Sequence, residues 1–166
     1  MSTETDCELA TRLAVEAGRL LMGVRAELTG RGAPSWQLMD MGDLASHRFL
    51  LQALTEARPD DAVLSEEGME DPRRFTADRV WIVDPLDGTN EFGEHGRSDW
   101  AVHVALWERD RFAAGAVNLP ALDLVFSTDP APLPPPLRGG GGGQRPRVRC
   151  RATGLGRCEG DGCGGR

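Results

Sequence analysis

The chain of 166 residues is 40% hydrophobic and 27% charged, with a net charge of −7 at pH 7. This length can form one domain with its own core, and the acidic balance argues against a nucleic-acid polymer as partner. No apolar run reaches the roughly 18 residues of a membrane span and no signal region starts the chain, so we expect a cytoplasmic protein.

Two amphipathic helices are predicted at the start of the chain. Residues 6–28 place leucine and valine at helical spacing, and the glycine and proline of 30–34 end this pattern. A second helix is predicted at about 43–57, with Asp43 near its N-terminus, where a carboxylate favours the helix dipole.

The hydrophobic period then changes to that of β-strands. The runs at 62–67 and 79–84 are apolar, end in acidic residues and are typical of buried strands. Three further strands, largely antiparallel, are predicted at 100–107, 111–120 and 122–129. Helices followed by such a sheet predict an α+β layered sandwich that occupies residues 1–129.

Carboxylates follow two of these predicted strands. Glu66 and Glu67 close one strand, and Asp84 and Asp87 follow the next one in the stretch WIVDPLDGTNEF. If the strands are neighbours, the acids converge at one edge of the sheet, where cations must neutralise them. Oxygen ligands without His or Cys favour Mg²⁺, so the sequence predicts a magnesium site at this edge.

Gly88 and Thr89 come directly after these acids. Their backbone N–H groups and the threonine hydroxyl suit a phosphate. An ordinary structural explanation exists for each part, because Asp-Pro and Asp-Gly are common in solvated turns and Asp87 can cap a helix. The combination and its order along the chain favour a functional site.

The histidines and tryptophans are predicted to be structural rather than catalytic. His103 lies between two valines of a strand, which favours a packed or hydrogen-bonded side chain. His47 and His95 are predicted on the surface. The tryptophans are predicted in the core and in strand packing rather than in nucleobase stacking: Trp36, Trp81, Trp100 and Trp107.

The sequence changes character after residue 129. Residues 130–143 are rich in proline and then glycine, and residues 137–166 carry seven arginines against two acids. Three of the four cysteines lie there, without the paired spacing and fourth ligand of a zinc site. We expect residues 130–166 to be disordered; non-specific RNA binding by a Gly/Arg segment is the weaker alternative.

DPLDGTNEF at 84–92, with LSEE at 64–67 and GDLASHRFL at 42–50, resembles the inositol monophosphatase-like superfamily of Mg²⁺-dependent phosphatases. The segments DRVWIVDPLDGT and SDWAVHVALW are most similar to its actinobacterial CysQ-type 3′(2′),5′-bisphosphate nucleotidases. The resemblance covers about residues 6–129 and implies the N-terminal half of the layered sugar-phosphatase fold.

This resemblance implies a reaction. The expected activity is removal of the 3′-phosphate from 3′-phosphoadenosine 5′-phosphate, a by-product of sulfate assimilation, to give AMP. Inositol monophosphate and fructose 1,6-bisphosphate are the alternative substrates within the superfamily. A non-catalytic metal- or nucleotide-binding remnant is an alternative of a different class.

The resemblance also implies a role for each residue. The metal ligands would be Glu66, Asp84, Asp87 and the carbonyl oxygen of Leu86. In the complete fold such ligands would hold about two or three Mg²⁺ ions. The scissile phosphate of the substrate would be bound by Gly88 and Thr89, together with Glu66, Leu86 and Asp87. Thr89 and Asp43 would activate the attacking water, with Glu67 behind the metal ligands.

The sequence departs from the superfamily at two places, the first of which fits the actinobacterial branch. SWQLMDMGD at 35–43 replaces a lysine-containing segment, and a later Trp-Asp motif that supplies a further metal ligand is absent. GC-rich codons for GLGRCEGDGC at 154–163, read one base later, encode Gly-Ser-Ala-Gly-Ala-Lys, which is similar to the superfamily's second half. We therefore expect a frameshift near residue 137. Without the superfamily's second half, we expect this chain to be feebly active at best. One face of its sheet would then be bare, which favours self-association or a homodimer.

Overall fold

The computed structural model describes residues 4–66 and 72–128 together with the backbone of 147–150. Its first element is a long helix, α1 (Asp6–Gly30), which starts with a capping box between Thr5 and Glu8. None of the helices in these ranges is both long enough and apolar enough to span a membrane.

The second helix, α2 (Ser35–Ala57), begins well before its predicted start near residue 43. Gly42, directly before the predicted start, is buried inside the helix. An added Cβ there would lie 2.6 Å from the ring of Phe92, so the glycine allows close packing rather than a helix end. As a correction, Asp43 lies in the middle of α2 and not near its positive end.

The sheet follows the predicted order of strands. β1 and β2 are parallel, and β2 to β5 pair antiparallel in chain order. A short helix, α3, separates β2 from β3. The bounds are β1 Ala62–Ser65, β2 Arg79–Asp87, α3 Thr89–Gly93, β3 Ala101–Glu108, β4 Arg111–Leu119 and β5 Leu124–Ser127.

A sixth strand lies in the segment for which we expected disorder. β6 (Arg147–Cys150) pairs in parallel with β5. Without β6, the outer edge of β5 would present unpaired backbone groups, and such an edge accepts a further strand. The rest of the predicted disordered segment, residues 130–146 and 151–166, lies outside the described residues.

The core lies between the sheet and the two long helices. The predicted alternation of β3 is confirmed, because Trp100, Val102, Val104 and Leu106 are all buried and belong to one cluster with α1 and α2. Trp81 is buried in the same core, but Trp36 is 63% exposed, contrary to prediction. It stands in the first turn of α2, where the helix face lies open.

The opposite face of the sheet carries half-buried apolar side chains. Ile82 and Ala105 line one depression of about 370 Å³, and Val117 and Phe126 line its neighbour of about 480 Å³. Apolar area of this kind is what the predicted self-association requires. The oligomeric state itself stays a prediction.

A buried carboxylate joins the sheet to α1. Asp61, 8% exposed, accepts hydrogen bonds from Trp81 Nε1 at 2.8 Å and from Arg79 Nε at 2.9 Å. Arg79 also pairs with Asp6 of α1 and Glu108 of β3, at 2.9 and 2.8 Å. The bond to Asp61 is the largest cause that raises the pKa of the Arg79 guanidinium. Each charge in this cluster therefore has a partner.

We expect Asp61→Ala to lower the free energy of unfolding by about 3 kcal/mol, because Arg79 and Trp81 would lose a shared acceptor where little water can replace it. Urea unfolding followed by circular dichroism measures the change. Asp60→Ala is the matched control, since Asp60 is exposed. Equal stabilities of the two variants would contradict the structural role of Asp61.

Candidate active site

Strands β1 and β2 are neighbours, which is the condition under which the sequence predicts that their acidic residues converge. The two strands run parallel with Ser65 opposite Val83, so Glu66 and Asp84 leave the same edge of the sheet. The backbone N–H of Glu66 donates to the carbonyl oxygen of Val83 at 3.4 Å, which extends the pairing by one residue. Glu67 lies outside the described residues.

A one-residue bulge sets the direction of the two aspartates. Asp84 lies opposite His103 and Asp87 opposite Ala101, so β2 contains one residue more than β3 between these pairs. Residues three apart in a regular strand point to opposite faces, and one inserted residue restores the same face. Pro85 lies within the bulge, where its missing N–H breaks the ladder.

The turn after the bulge is held by short-range hydrogen bonds. The N–H of Leu86 donates to Asp84 Oδ1 at 3.2 Å. The Thr89 hydroxyl lies 3.0 Å from the carbonyl oxygen of Leu86 and 3.4 Å from Asp43 Oδ1. The predicted proximity of Thr89 and Asp43 is therefore present. Gly88 has a φ of +83°, a conformation that favours glycine, and α3 starts from it.

Helix α2 supports this turn from below. The hydroxyl of Ser46, which is buried, donates to the carbonyl oxygen of Pro85 at 2.7 Å. His47, predicted on the surface, is half-buried, and its Nδ1 lies 2.9 Å from Ser65 Oγ at the end of β1. One face of α2 therefore contacts both strand ends. His95 is exposed, as predicted.

Arg25 of α1 fixes α3 from the other side. Its guanidinium lies 5.5 Å from the ring centroid of Phe92 and 5.7 Å from that of Trp100. Burial lowers the pKa of this arginine. It donates to three backbone carbonyl oxygens in and after α3, those of Glu91, Glu94 and Arg97. No pattern in the sequence indicated this contact, because Arg25 lies in an ordinary amphipathic helix.

The carboxylates carry negative charge that the described neighbours only partly offset. Burial raises the pKa of Asp84, and the charges of Glu66 and Asp87 raise it further, while His103 and the N–H of Leu86 act in the opposite direction. A bound cation would relieve this repulsion. The pKa of Asp84 is thus raised by burial and by neighbouring carboxylates, an environment that favours binding of a cation.

The donor set fits a hard cation in its chemistry. Carboxylate and carbonyl oxygens are the ligands that Mg²⁺ prefers, and this ion keeps several waters in its shell. Within residues 4–66 and 72–128, no three side chains of His, Cys, Asp or Glu converge closely enough to hold a metal ion by themselves. Water and the carbonyl oxygen of Leu86 would have to complete the shell.

His103 is the site residue that the sequence did not assign to the site. Its Nε2 lies 3.0 Å from Asp87 Oδ2, a hydrogen bond in which the imidazole donates. The predicted class, a packed or hydrogen-bonded histidine, includes this contact. The partner could not be predicted, because a regular strand would place Asp87 and Asp84 on opposite faces.

A family model described as the inositol monophosphatase family matches residues 3–130. The 3′-phosphoadenosine 5′-phosphate phosphatase of Mycobacterium bovis is 48% identical over 144 residues, 79% of this chain and 53% of that protein. The 3′(2′),5′-bisphosphate nucleotidase CysQ of Salmonella typhimurium is 38% identical over 88 residues, 51% of this chain and 34% of that protein. The chain thus spans about half the length of the mycobacterial relative.

Solved structures share the fold. The extragenic suppressor protein suhB from Bartonella henselae has a TM-score of 0.61 at 29% identity and matches 72% of this chain and 45% of its own. CysQ from Bacteroides thetaiotaomicron has a TM-score of 0.58 at 27% identity, over 70% of this chain and 43% of its own. These matches confirm the predicted α+β layered class and cover part of the full-length fold.

We expect Gly88→Ala to destabilise the protein more than Gly96→Ala does. Both glycines have a positive φ, +83° and +81°, so an alanine strains the backbone at either position by about 1 kcal/mol. At Gly88 the new Cβ would also lie 3.0 Å from the carbonyl oxygen of Asp99, whereas at Gly96 nothing lies within 4 Å. We expect a total loss of about 2–3 kcal/mol at Gly88.

Thermal and urea unfolding of both variants measure this difference. A Gly96→Ala protein as unstable as the Gly88→Ala protein would show that the close approach to Asp99 is unimportant.

We expect Asp84→Asn to stabilise the metal-free protein at neutral pH. A raised carboxyl pKa means that ionised Asp84 opposes folding, and the asparagine removes the charge while its Oδ1 can still accept from Leu86. The advantage should disappear as the pH falls through the raised pKa of Asp84, where the wild-type side chain becomes neutral.

Melting temperatures in a chelator, measured from neutral to acidic pH, test this sign. Asp78→Asn, at an exposed position, is the control. Lower stability of Asp84→Asn at neutral pH would contradict the repulsion among the carboxylates.

Proposed function

Since this chain belongs to the inositol monophosphatase family, whose enzymes are metal-dependent phosphatases, we propose that it acts in Mg²⁺-dependent hydrolysis of a phosphate monoester. The proposed substrate is 3′-phosphoadenosine 5′-phosphate, which would lose its 3′-phosphate and leave AMP. The observation that carries the proposal is the bulge at Pro85, which turns Asp84 and Asp87 to one face beside Glu66. The activities for which the mycobacterial and Salmonella relatives are named support this substrate.

The residues proposed to hold Mg²⁺ are Glu66, Asp84, Asp87 and the carbonyl oxygen of Leu86. When bound, the ion would supply positive charge to the phosphate oxygens and lower the pKa of a bound water. All four donors are oxygen atoms, in agreement with the preference of Mg²⁺. The number of ions, two or three, is part of the proposal.

The remaining residues would orient the reactants. Asp43 lies 3.4 Å from the Thr89 hydroxyl, and this pair would align a water for attack on phosphorus and accept its proton. Gly88 and Thr89 would hold the phosphate, in a turn that Arg25 and Ser46 keep in place. The phosphorus–oxygen bond to the ribose would then break, and the ribose oxygen would take up a proton. Glu67 is proposed to support the ligands from behind.

A non-catalytic metal- or nucleotide-binding remnant is the second candidate. It is favoured by one observation, namely that the described side chains do not enclose a metal ion on their own. Binding of Mg²⁺ and nucleotide without release of phosphate would distinguish the remnant from the enzyme. Inositol monophosphate and fructose 1,6-bisphosphate remain the alternative substrates within the family.

We expect phosphate release from 3′-phosphoadenosine 5′-phosphate to exceed that from inositol 1-phosphate and fructose 1,6-bisphosphate when Mg²⁺ is saturating. Asp84→Asn should lower the rate of phosphate release about 100-fold or more, because it removes a negative charge from the proposed metal site. The assay should use this chain and a version with the reading frame restored after residue 137, since we propose that this chain alone turns over feebly.

Asp78→Asn serves again as the control and should leave turnover unchanged. A preference for the inositol ester would overturn the proposed substrate, and full activity of Asp84→Asn would overturn the proposed metal site.

A further inference from the structure

His103 faces both aspartates of the proposed metal site. It lies directly opposite Asp84 in the pairing of β2 with β3, and its Nε2 is 3.0 Å from Asp87 Oδ2. Its neighbours Val102 and Val104 are fully buried on the helix side of the sheet. Because side chains alternate along a strand, His103 stands on the open face, with the carboxylates.

The contact between His103 and Asp87 contributes little to the stability of the fold. The two side chains are 40% and 59% exposed. Pairs with this much exposure contribute about 0–1 kcal/mol, because water competes for both partners. The more specific consequence of the hydrogen bond is that it restricts the Asp87 carboxylate to one orientation.

We propose that His103 is a positioning residue for the metal ligand Asp87, an inference that rests on the proposed function. The imidazole N–H of His103 donates to Oδ2 of Asp87, so that Oδ1 is the oxygen that can bind the cation. Ligating carboxylates commonly accept a hydrogen bond from a residue behind them, and loss of that residue typically weakens metal affinity 10–100-fold. His103 thus belongs to the metal site without itself touching the metal.

The hydrogen-bond donor, rather than the imidazole ring, is the feature that matters. Glutamine carries an N–H donor at a reach similar to that of Nε2, whereas leucine has a similar size and no donor. His103→Gln should therefore keep the Asp87 carboxylate oriented, and His103→Leu should release it. A histidine that ligated the metal directly would not be replaced by glutamine in this way.

The test is a titration of the full chain with Mn²⁺, followed by electron paramagnetic resonance of the free ion. We expect His103→Leu to bind Mn²⁺ about 10–100-fold more weakly than the wild type, and His103→Gln to bind it nearly as tightly. His95→Leu, an exposed histidine away from the site, should bind like the wild type. Circular dichroism and melting temperature check that each variant is folded.

Asp87→Asn separates this inference from the proposed function. If Asp87→Asn binds Mn²⁺ like the wild type, or the wild type binds none, the proposed metal site is wrong and the role of His103 is lost with it. If Asp87→Asn weakens binding but His103→Leu does not, only the role of His103 is overturned. Equal weakening by His103→Leu and His103→Gln would also overturn it, since a retained donor would then have no effect.

Discussion

The geometry of the candidate site depends on one inserted residue in β2. Without the bulge at Pro85, the alternation of a strand would send Asp84 and Asp87 to opposite faces of the sheet. Proline is suited to this place because it has no N–H to donate to the ladder. The carbonyl oxygen of Pro85 is still used, as the acceptor of the buried Ser46 hydroxyl. The bulge is therefore anchored to α2 rather than left to solvent.

Asp61, directly before β1, and Asp84, within β2, show how environment separates structure from function. Asp61 is buried but accepts from Arg79 and Trp81, so its charge is matched by donors. Burial raises the pKa of Asp84, and the charges of Glu66 and Asp87 raise it further. A fold that only needed a polar turn would not gather three acids there. The repulsion is understandable if a cation completes the arrangement.

Much of the fold could be predicted, because the hydrophobic period of a segment reports the face that it buries. The predicted end of the second strand, Asp84, is the last residue before the bulge in β2. The start of α2 was predicted wrongly, since an acidic residue is favoured at a helix start but also occurs within a helix, as Asp43 does. The partner of His103 was missed because a bulge depends on pairing between strands. The exposure of Trp36 depends on which layers cover α2, which no local pattern records.

The corrected position of Asp43 changes the explanation of its place in the site. A carboxylate at a helix N-terminus is held there by the dipole, whose influence ends within the first turn. In the middle of α2, its position relative to Thr89 depends instead on how α2 packs against α3. Gly42 sets this distance, because any larger residue would collide with Phe92. The close approach of Gly42 to Phe92 thus places Asp43 within reach of the Thr89 hydroxyl.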